Sequence, residues 1–257
     1  MQHFFVEPEQ ITGNKIIITG EDVNHIKNVL RMKIGEEISV SNGVDDNEYR
    51  AGISQIGENE VVCDLLFVKE DGVELPVKIT LFQGMPKADK MELIVQKAVE
   101  LGVARVVPVE TARAVVKLDD RKAKSRTERW MKISEAAAKQ SKRACIPEVT
   151  LPMTMREAVE EAKHLDIAAI PYELAKGMGT MRDFVEKVKE LAKSSGDGSI
   201  PPRTAGIFIG PEGGFTEEEV QLASDAGIVP VSLGRRILRT ETAGMTVLSI
   251  LMYETEI

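Results

Sequence analysis

Ala205-Gly-Ile-Phe-Ile-Gly-Pro-Glu-Gly-Gly-Phe-Thr-Glu-Glu-Glu219 decides how the rest of this chain is read. Small and apolar residues run into Gly210, the loop Pro211-Glu212-Gly213-Gly214 follows, and Thr216 with Glu219 three positions on forms a capping box that opens a helix. Strand, glycine loop and helix in that order make the unit at whose carboxyl end open α/β sheets bind ligands. The loop lacks the Gly-Lys-Ser/Thr of a Walker A motif, and Gly210, Gly213 and Gly214 lack the dinucleotide-binding spacing. A tight turn that simply needs positive φ would also account for these glycines.

A second unusual stretch, Leu233-Gly-Arg-Arg-Ile-Leu-Arg-Thr-Glu-Thr-Ala243, follows a short strand predicted over Val229–Leu233 and precedes the last helix. Two such loops, each after a strand and before a helix, belong at the same carboxyl edge of a parallel sheet and imply a pocket.

The chain has 257 residues, enough for one large domain or two modest ones with a proper core. Cys63 and Cys145 stand far apart without metal-ligand spacing and read as reduced, structural thiols, and no metal site is expected. No signal peptide is visible, and the longest apolar run, Ala243 to Tyr253, is too short to span a bilayer. A cytoplasmic protein with no membrane association is expected.

The formal charge is −8, yet Arg113 to Arg143 holds eleven Lys or Arg against four acids. One basic strip on an acidic body fits a localised contact with a polyanion, and equally a solvated helix face.

Residues 1–71 read as a small β-rich unit, with strands predicted over 16–19, 37–40, 49–56 and 61–68 and one helix over 22–30. That helix is expected to turn Val23, Ile26, Val29 and Leu30 to one side. The charged stretch around Gly72 and Pro76 marks the boundary, and from 74 to 257 strands and helices alternate as in a parallel-sheet α/β domain. There the helix over 90–101 is expected to turn Leu93, Ile94, Lys97 and Leu101 inward, with Gly102 as its cap. A long helix over 125–143 should bury Trp130, Ile133, Ala137 and Ala138. The last helix, about 241–254, carries Met245, Val247, Leu248, Ile250, Leu251 and Met252 around nearly its whole circumference, which suits a deep core helix or a dimer contact.

The motifs Gly-Pro-Glu-Gly-Gly-Phe (210–215) and Leu-Gly-Arg-Arg-Ile-Leu-Arg-Thr-Glu-Thr-Ala (233–243) resemble the RsmE family, small-subunit ribosomal RNA uridine N3-methyltransferases of the SPOUT superfamily. His25-Ile-Lys-Asn-Val-Leu-Arg-Met32, Gln96-Lys-Ala-Val-Glu-Leu-Gly-Val103, Arg129-Trp130, Glu135-Ala136 and Gln140 extend the likeness over almost the whole chain. His3 departs from it, standing where an arginine is expected before the Phe-Phe pair.

The resemblance implies an α/β protein with a small N-terminal PUA-like RNA-binding β-barrel (1–71). A C-terminal SPOUT methyltransferase domain (74–257) with a parallel sheet and a trefoil knot would follow it. It further implies S-adenosylmethionine as methyl donor, a homodimer, and 16S rRNA in the small ribosomal subunit as partner. The target would be N3 of one uridine, conventionally position 1498. Donor-binding candidates are Gly210, Glu212, Gly213, Gly214, Leu233, Gly234, Ile237, Leu238, Thr240 and Glu173, the glycines letting backbone groups approach a ligand. Arg239 is the candidate to stabilise charge on the deprotonated uracil or to orient the base. Glu212, Glu173 and Glu241 are the carboxylates able to take the proton or hold Arg239, with Glu212 placed beside Arg239 in the catalytic set. Arg31, Arg126, Arg129, Lys142 and Arg143 are the RNA-binding candidates. A ribosome-binding factor without catalysis, or a metabolic enzyme with a nucleotide site, would use the same features differently.

Overall fold

The structure, a computed structural model, describes residues 1–70, 72–116, 118–172, 179–195 and 202–256. It divides into two compact units, Met1–Glu74 with Ala138–Ile146, and Leu75–Ala137 with Pro147–Ile257.

In the first unit the strands are β1 (His3–Phe5), β2 (Ile11–Thr12), β3 (Lys15–Thr19), β4 (Glu37–Ser41), β5 (Glu48–Ile56) and β6 (Glu60–Lys69). They form one sheet in the order β1-β4-β5-β6-β3-β2, with β1 parallel to β4 and all other pairs antiparallel. Register shifts at Arg50/Ala51 and Ile53/Gln55 bend the long β5–β6 pair, since an extra residue in one strand kinks it and raises the local twist. The curled sheet closes over Phe4, Ile16, Ile18, Ile38, Val40, Ala51, Ile53, Val61 and Cys63, all buried. Period-two alternation explains the choice: in β3, Ile16 and Ile18 point inward while Lys15 and Thr19 stay exposed.

The helix expected over 22–30 is two pieces. The α-helix α1 (Glu21–Asn24) widens at once into a π turn over His25–Val29, closed by Leu30 N–H to His25 O at 2.8 Å. The wider turn rotates Val29 out of the apolar face to 61 % exposure, although Val23 and Ile26 remain buried as expected. Strand β1 has no counterpart in the sequence reading. His3 within it is buried, its Nδ1 2.8 Å from Ser39 Oγ, and burial lowers its pKa to about 4.

The second unit has strands β7 (Val77–Gly84), β8 (Arg105–Glu110), β9 (Glu148–Val149), β10 (Met153–Thr154), β11 (Ile167–Pro171), β12 (Arg203–Ile209) and β13 (Val229–Val231). Its helices are α2 (Lys90–Glu100), α3 (Asp120–Ser141), α4 (Met155–Ala162), α5 (Gly179–Ser194), α6 (Glu217–Asp225) and α7 (Thr240–Glu256). The last turn of α3 clusters with the first unit. All strand pairs are parallel, in the order β10-β8-β7-β12-β11-β13, with β9 also on β8. The chain builds outward from β7 through β8 to β10, then crosses to the other side for β11, β12 and β13. The order therefore reverses between β7 and β12, the topological switch point where a crevice opens at the carboxyl ends.

Phe82 of β7 and Phe208 of β12 stack at 4.4 Å between centroids and anchor a core shared with Met155, Ala158 and Val159 of α4 and Val220 and Ala223 of α6. Helices α5 and α7 pack against β7 and β12 and against each other, and α2 packs on α7. The capping boxes expected at Thr154–Glu157 and Thr216–Glu219 are both formed, and Gly102 ends α2 with φ +87°.

Two inward faces differ from expectation. On α2 the buried stripe is Met91, Ile94, Val95, Ala98 and Val99, while Leu93 is 42 % exposed. The buried stripe is centred to one side of Leu93, at the i, i+3, i+4 positions from Met91. On α3, Trp130, Ala137 and Ala138 are buried, but Ile133 is only half-buried and Ser134 is buried instead. Its hydroxyl donates to Pro147 O at 2.6 Å, which offsets the cost of that burial.

The two glycine loops and their surroundings

Strand β12 runs beside β7 for seven residues, ending with Ile209 opposite Gln83, so Gly210 emerges next to Gly84. A Cβ on Gly84 would lie 2.6 Å from Pro211 Cδ, so only glycine lets the two strand ends come this close. The loop then turns through Gly214, whose φ is +65° and whose N–H donates to Pro211 O at 2.9 Å.

Two other segments, Ala112–Arg113 after β8 and Lys87–Lys90 after β7, hold this loop and the helix that follows it. Arg113 Nη1 donates to Gly213 O (2.9 Å) and Phe215 O (3.2 Å). Glu219 accepts from the Ala112 amide at 2.7 Å. Glu212 accepts from the Lys87 amide through both oxygens at 3.2 Å and from Lys90 Nζ at 2.9 Å. Partial burial pushes the Glu212 carboxyl up, but the Lys90 ammonium and the backbone amides outweigh it and hold it below the usual carboxylate range. Lys90 also lies 3.6 Å from Glu241 Oε2 in the first turn of α7, an oxygen that is buried and has no partner within hydrogen-bond distance among the described residues. Its ammonium, hydrogen-bonded to Glu212, is raised above the ordinary lysine value. Gln83, Gly84, Lys87, Lys90 and Arg113 were invisible as site residues in the sequence. The signal that could have found them is positional: they end β7 or follow β7 and β8, at the same carboxyl edge as the glycine loop, in the strand order β8-β7-β12.

The second loop, Ser232–Arg239, leaves β13 at that edge as well, because β13, β11 and β12 are mutually parallel neighbours. Within it, among the described residues, the backbone donates only from Gly234 N–H to Ser232 Oγ (3.3 Å) and accepts only at Arg239 O from Ala243 N–H (2.8 Å). A run of backbone groups without protein partners, beside half-buried Leu233, Gly234 and Leu238, is what a ligand read through main-chain hydrogen bonds requires. The structure thus brings Gly210, Glu212, Gly213, Gly214, Leu233, Gly234, Leu238 and Thr240 to one sheet edge. Ile237 also sits on the loop, but at 89 % exposure. Arg239 is exposed and, among the described residues, carries no ion pair, while the nearby Glu241 faces Lys90. Glu173 lies outside the described residues. A cleft of about 440 Å³ lined by Val23, Asn24, Lys27, Asn28 and Asn59 belongs to the first unit and shares no residue with either loop.

The RNA-binding candidates divide. Arg31 is exposed at φ +53°, Lys142 is exposed at φ +58°, and Arg126 is half-buried. Arg129 is exposed but paired with Glu92 at 2.7 Å. Arg143, expected on an RNA-facing surface, is instead buried within the first unit, where its Nε donates to Glu74 Oε1 at 2.8 Å and its Nη2 faces the other oxygen. A guanidinium so enclosed is structural, because exposing it to RNA would strand Glu74 in the interior.

The chain matches the family model described as RNA methyltransferase domain over residues 73–252, and the RNA methyltransferase PUA domain over residues 18–66. It is 38 % identical to ribosomal RNA small subunit methyltransferase E of Bacillus subtilis, over 100 % of this chain and 98 % of that protein. The protein of the same name from Aquifex aeolicus is 31 % identical over 97 % of this chain and 99 % of its own. Among solved structures, ribosomal RNA small subunit methyltransferase E of Neisseria gonorrhoeae, bound to S-adenosyl methionine, superposes with a TM-score of 0.79 at 29 % identity, over 98 % of this chain and 97 % of that one.

Proposed function

This chain belongs to the ribosomal RNA small subunit methyltransferase E family, and on that footing we propose that it transfers a methyl group from S-adenosylmethionine to 16S rRNA. The observation that carries the donor site is the backbone of Ser232–Arg239, almost all of it without partners among the described residues, beside the braced loop Gly210–Gly214, both at the carboxyl edge of the parallel sheet. These residues fit an adenosine-bearing ligand. Main-chain donors and acceptors from Leu233 to Leu238 would read the adenine edge, Leu233 and Leu238 would cover its face, and Gly210–Gly214 would hold the remainder. The donor supplies a methyl on a sulfonium, a leaving group that needs only an aligned nucleophile.

Within this reading the target is N3 of one uridine, position 1498 in the conventional numbering. Losing the N3 proton leaves negative charge spread over the uracil ring and its oxygens, and Arg239, exposed and without an ion pair among the described residues, is the side chain able to stabilise it. Glu212 braces the loop: held as a carboxylate by Lys90 and the Lys87 amide, it is a poor proton acceptor. The PUA-like unit, residues 1–71 with Arg31, and the cations of α3 with Lys142 serve to hold the RNA. Besides Arg126, the exposed Arg121, Lys124 and Lys132 of α3 have no ion-pair partner among the described residues and join that set.

The active species is a homodimer in this proposal. Leu93 on α2 and Ile250 and Tyr253 on α7 leave apolar surface uncovered on two helices that pack together, as a subunit contact would use. A trefoil knot in the catalytic domain and a cytoplasmic location belong to the same reading. No described helix is long and apolar enough to cross a membrane.

Incubating the protein with methyl-labelled donor and small ribosomal subunits, followed by nucleoside mass spectrometry, tests the proposal. One N3-methyluridine per 16S rRNA is expected. Label at another base, or no label with active subunits, would overturn the assignment.

A further inference from the structure

Gln83 is the last residue of β7 before Gly84, and it is fully buried at the switch point. Its Nε2 donates to the carbonyl of Gly84 and to Thr240 Oγ1, each at 2.9 Å. Thr240 Oγ1 in turn donates to Gly210 O at 2.6 Å. One chain of hydrogen bonds therefore ties three pieces that are distant in sequence: the end of β7, the first residue of the glycine loop, and the first residue of α7 directly after Arg239. The other polar atom of the amide, Gln83 Oε1, is buried and has no hydrogen-bond partner among the described residues.

A buried amide with an orphan acceptor is an unfavourable choice for a core position, where leucine or methionine would fill the same space without a desolvation cost. Its one directed product is the register between the two loops. We infer that Gln83 is a positioning residue for methyl transfer: it sets the Gly210 loop and the Leu238-Arg239-Thr240 turn relative to each other, so that donor binding and the placement of Arg239 depend on a side chain that touches neither. The inference rests on the proposed donor site. Catalytic groups act at full strength only when a supporting shell fixes them to within fractions of an ångström.

The test uses the full-length protein as wild type, Gln83→Met, Thr240→Val, Thr240→Ser and the double variant Gln83→Met with Thr240→Val. For each, S-adenosylmethionine affinity is measured by calorimetry, melting temperature is measured without donor, and kcat and KM are measured on small subunits. Gln83→Met and Thr240→Val should each weaken donor affinity at least tenfold and lower kcat on saturating donor. Thr240→Ser keeps the hydroxyl and should recover most of the affinity and kcat that Thr240→Val loses. The double variant should be no worse than the poorer single one, because both changes cut the same chain. A purely structural glutamine would lower the melting temperature while leaving donor affinity and kcat unchanged, and that pattern overturns the inference. If Gln83→Met does not fold, Thr240→Val with wild-type affinity and kcat overturns it alone. A wild-type protein that binds no donor and methylates nothing would instead refute the proposed function, a result separable from every variant pattern above.

Discussion

Replacing Arg143 by methionine separates a structural cation from an RNA-binding one. Arg143 is 3 % exposed, and its guanidinium is Glu74's charged partner; the Ala144 amide also donates to Oε1 at 2.9 Å. Burial pushes the Glu74 carboxyl up, but Arg143 outweighs it and holds the group below the usual carboxylate range. Methionine keeps the bulk of the side chain and removes the charge, leaving a half-buried carboxylate uncompensated, a change that approaches the ~3–5 kcal/mol lost in fully buried pairs. Both partners lie in the first unit, so the loss should appear there as easier opening. At about 1.4 kcal/mol per decade, amides of β4 and β5 should exchange with deuterium roughly a hundredfold faster or more. Those of β7 and β12 should change little. The sign of the pH dependence is fixed by the same pair. Glu74 has a depressed folded pKa, so its stabilisation is fully present above the usual glutamate value and is lost as pH falls through the folded one. The gap between wild type and variant should therefore be widest near neutrality and narrow in acid. Unchanged protection of β4 and β5 together with weaker subunit binding would refute the reasoning and return Arg143 to the RNA surface.

Arg239→Ala should lower kcat by roughly a hundred- to a thousandfold, as loss of one charge-stabilising donor does, with donor affinity within a few-fold by calorimetry; equal losses in both would contradict its role. Glu212→Gln should weaken donor binding, since Lys90 and the Lys87 amide lose their anchor, while the acid limb of the pH–rate profile stays in place; disappearance of that limb would make Glu212 the proton acceptor. Gly84→Ala drives a Cβ to 2.6 Å from Pro211 Cδ, a clash of about 1–3 kcal/mol by the usual cost of overpacking. Calorimetry should then show at least a tenfold loss of donor affinity, and wild-type affinity would show that the approach of the two strand ends is dispensable. Arg126→Glu should weaken subunit binding and reduce the slope of log affinity against log salt, by about one for each phosphate that the side chain no longer neutralises; an unchanged slope removes α3 from the footprint.

What was legible in the sequence was local. The capping box at Thr216 and the glycines before it marked the strand–loop–helix unit, and the change from period-two runs to alternating strands and helices marked where the pairing turns from mostly antiparallel to parallel. The features that escaped depend on distance along the chain. Strand β1 has three residues and gains its identity only by pairing with β4, 36 positions away in register at His3–Ser39. Arg143 looks like any solvated cation until Glu74, 69 positions earlier, closes on it. Lys90 meets Glu212 across 122 positions and Gln83 meets Thr240 across 157, so neither could announce itself by spacing. Leu93 and Val29 failed for a different reason: helical periodicity fixes an apolar stripe only to within a residue, and the π turn at His25–Val29 shifts it further. The resemblance to a known family supplied the chemistry that periodicity could not.

Hydrogen exchange with and without S-adenosylmethionine tests the donor site most directly. Two segments should gain protection together, Gly210–Phe215 and Leu233–Leu238, while β3 and β5 of the first unit stay as they were. Protection confined to the first unit, or none at saturating donor in a folded sample, would contradict the claim that these two loops are where the methyl donor binds.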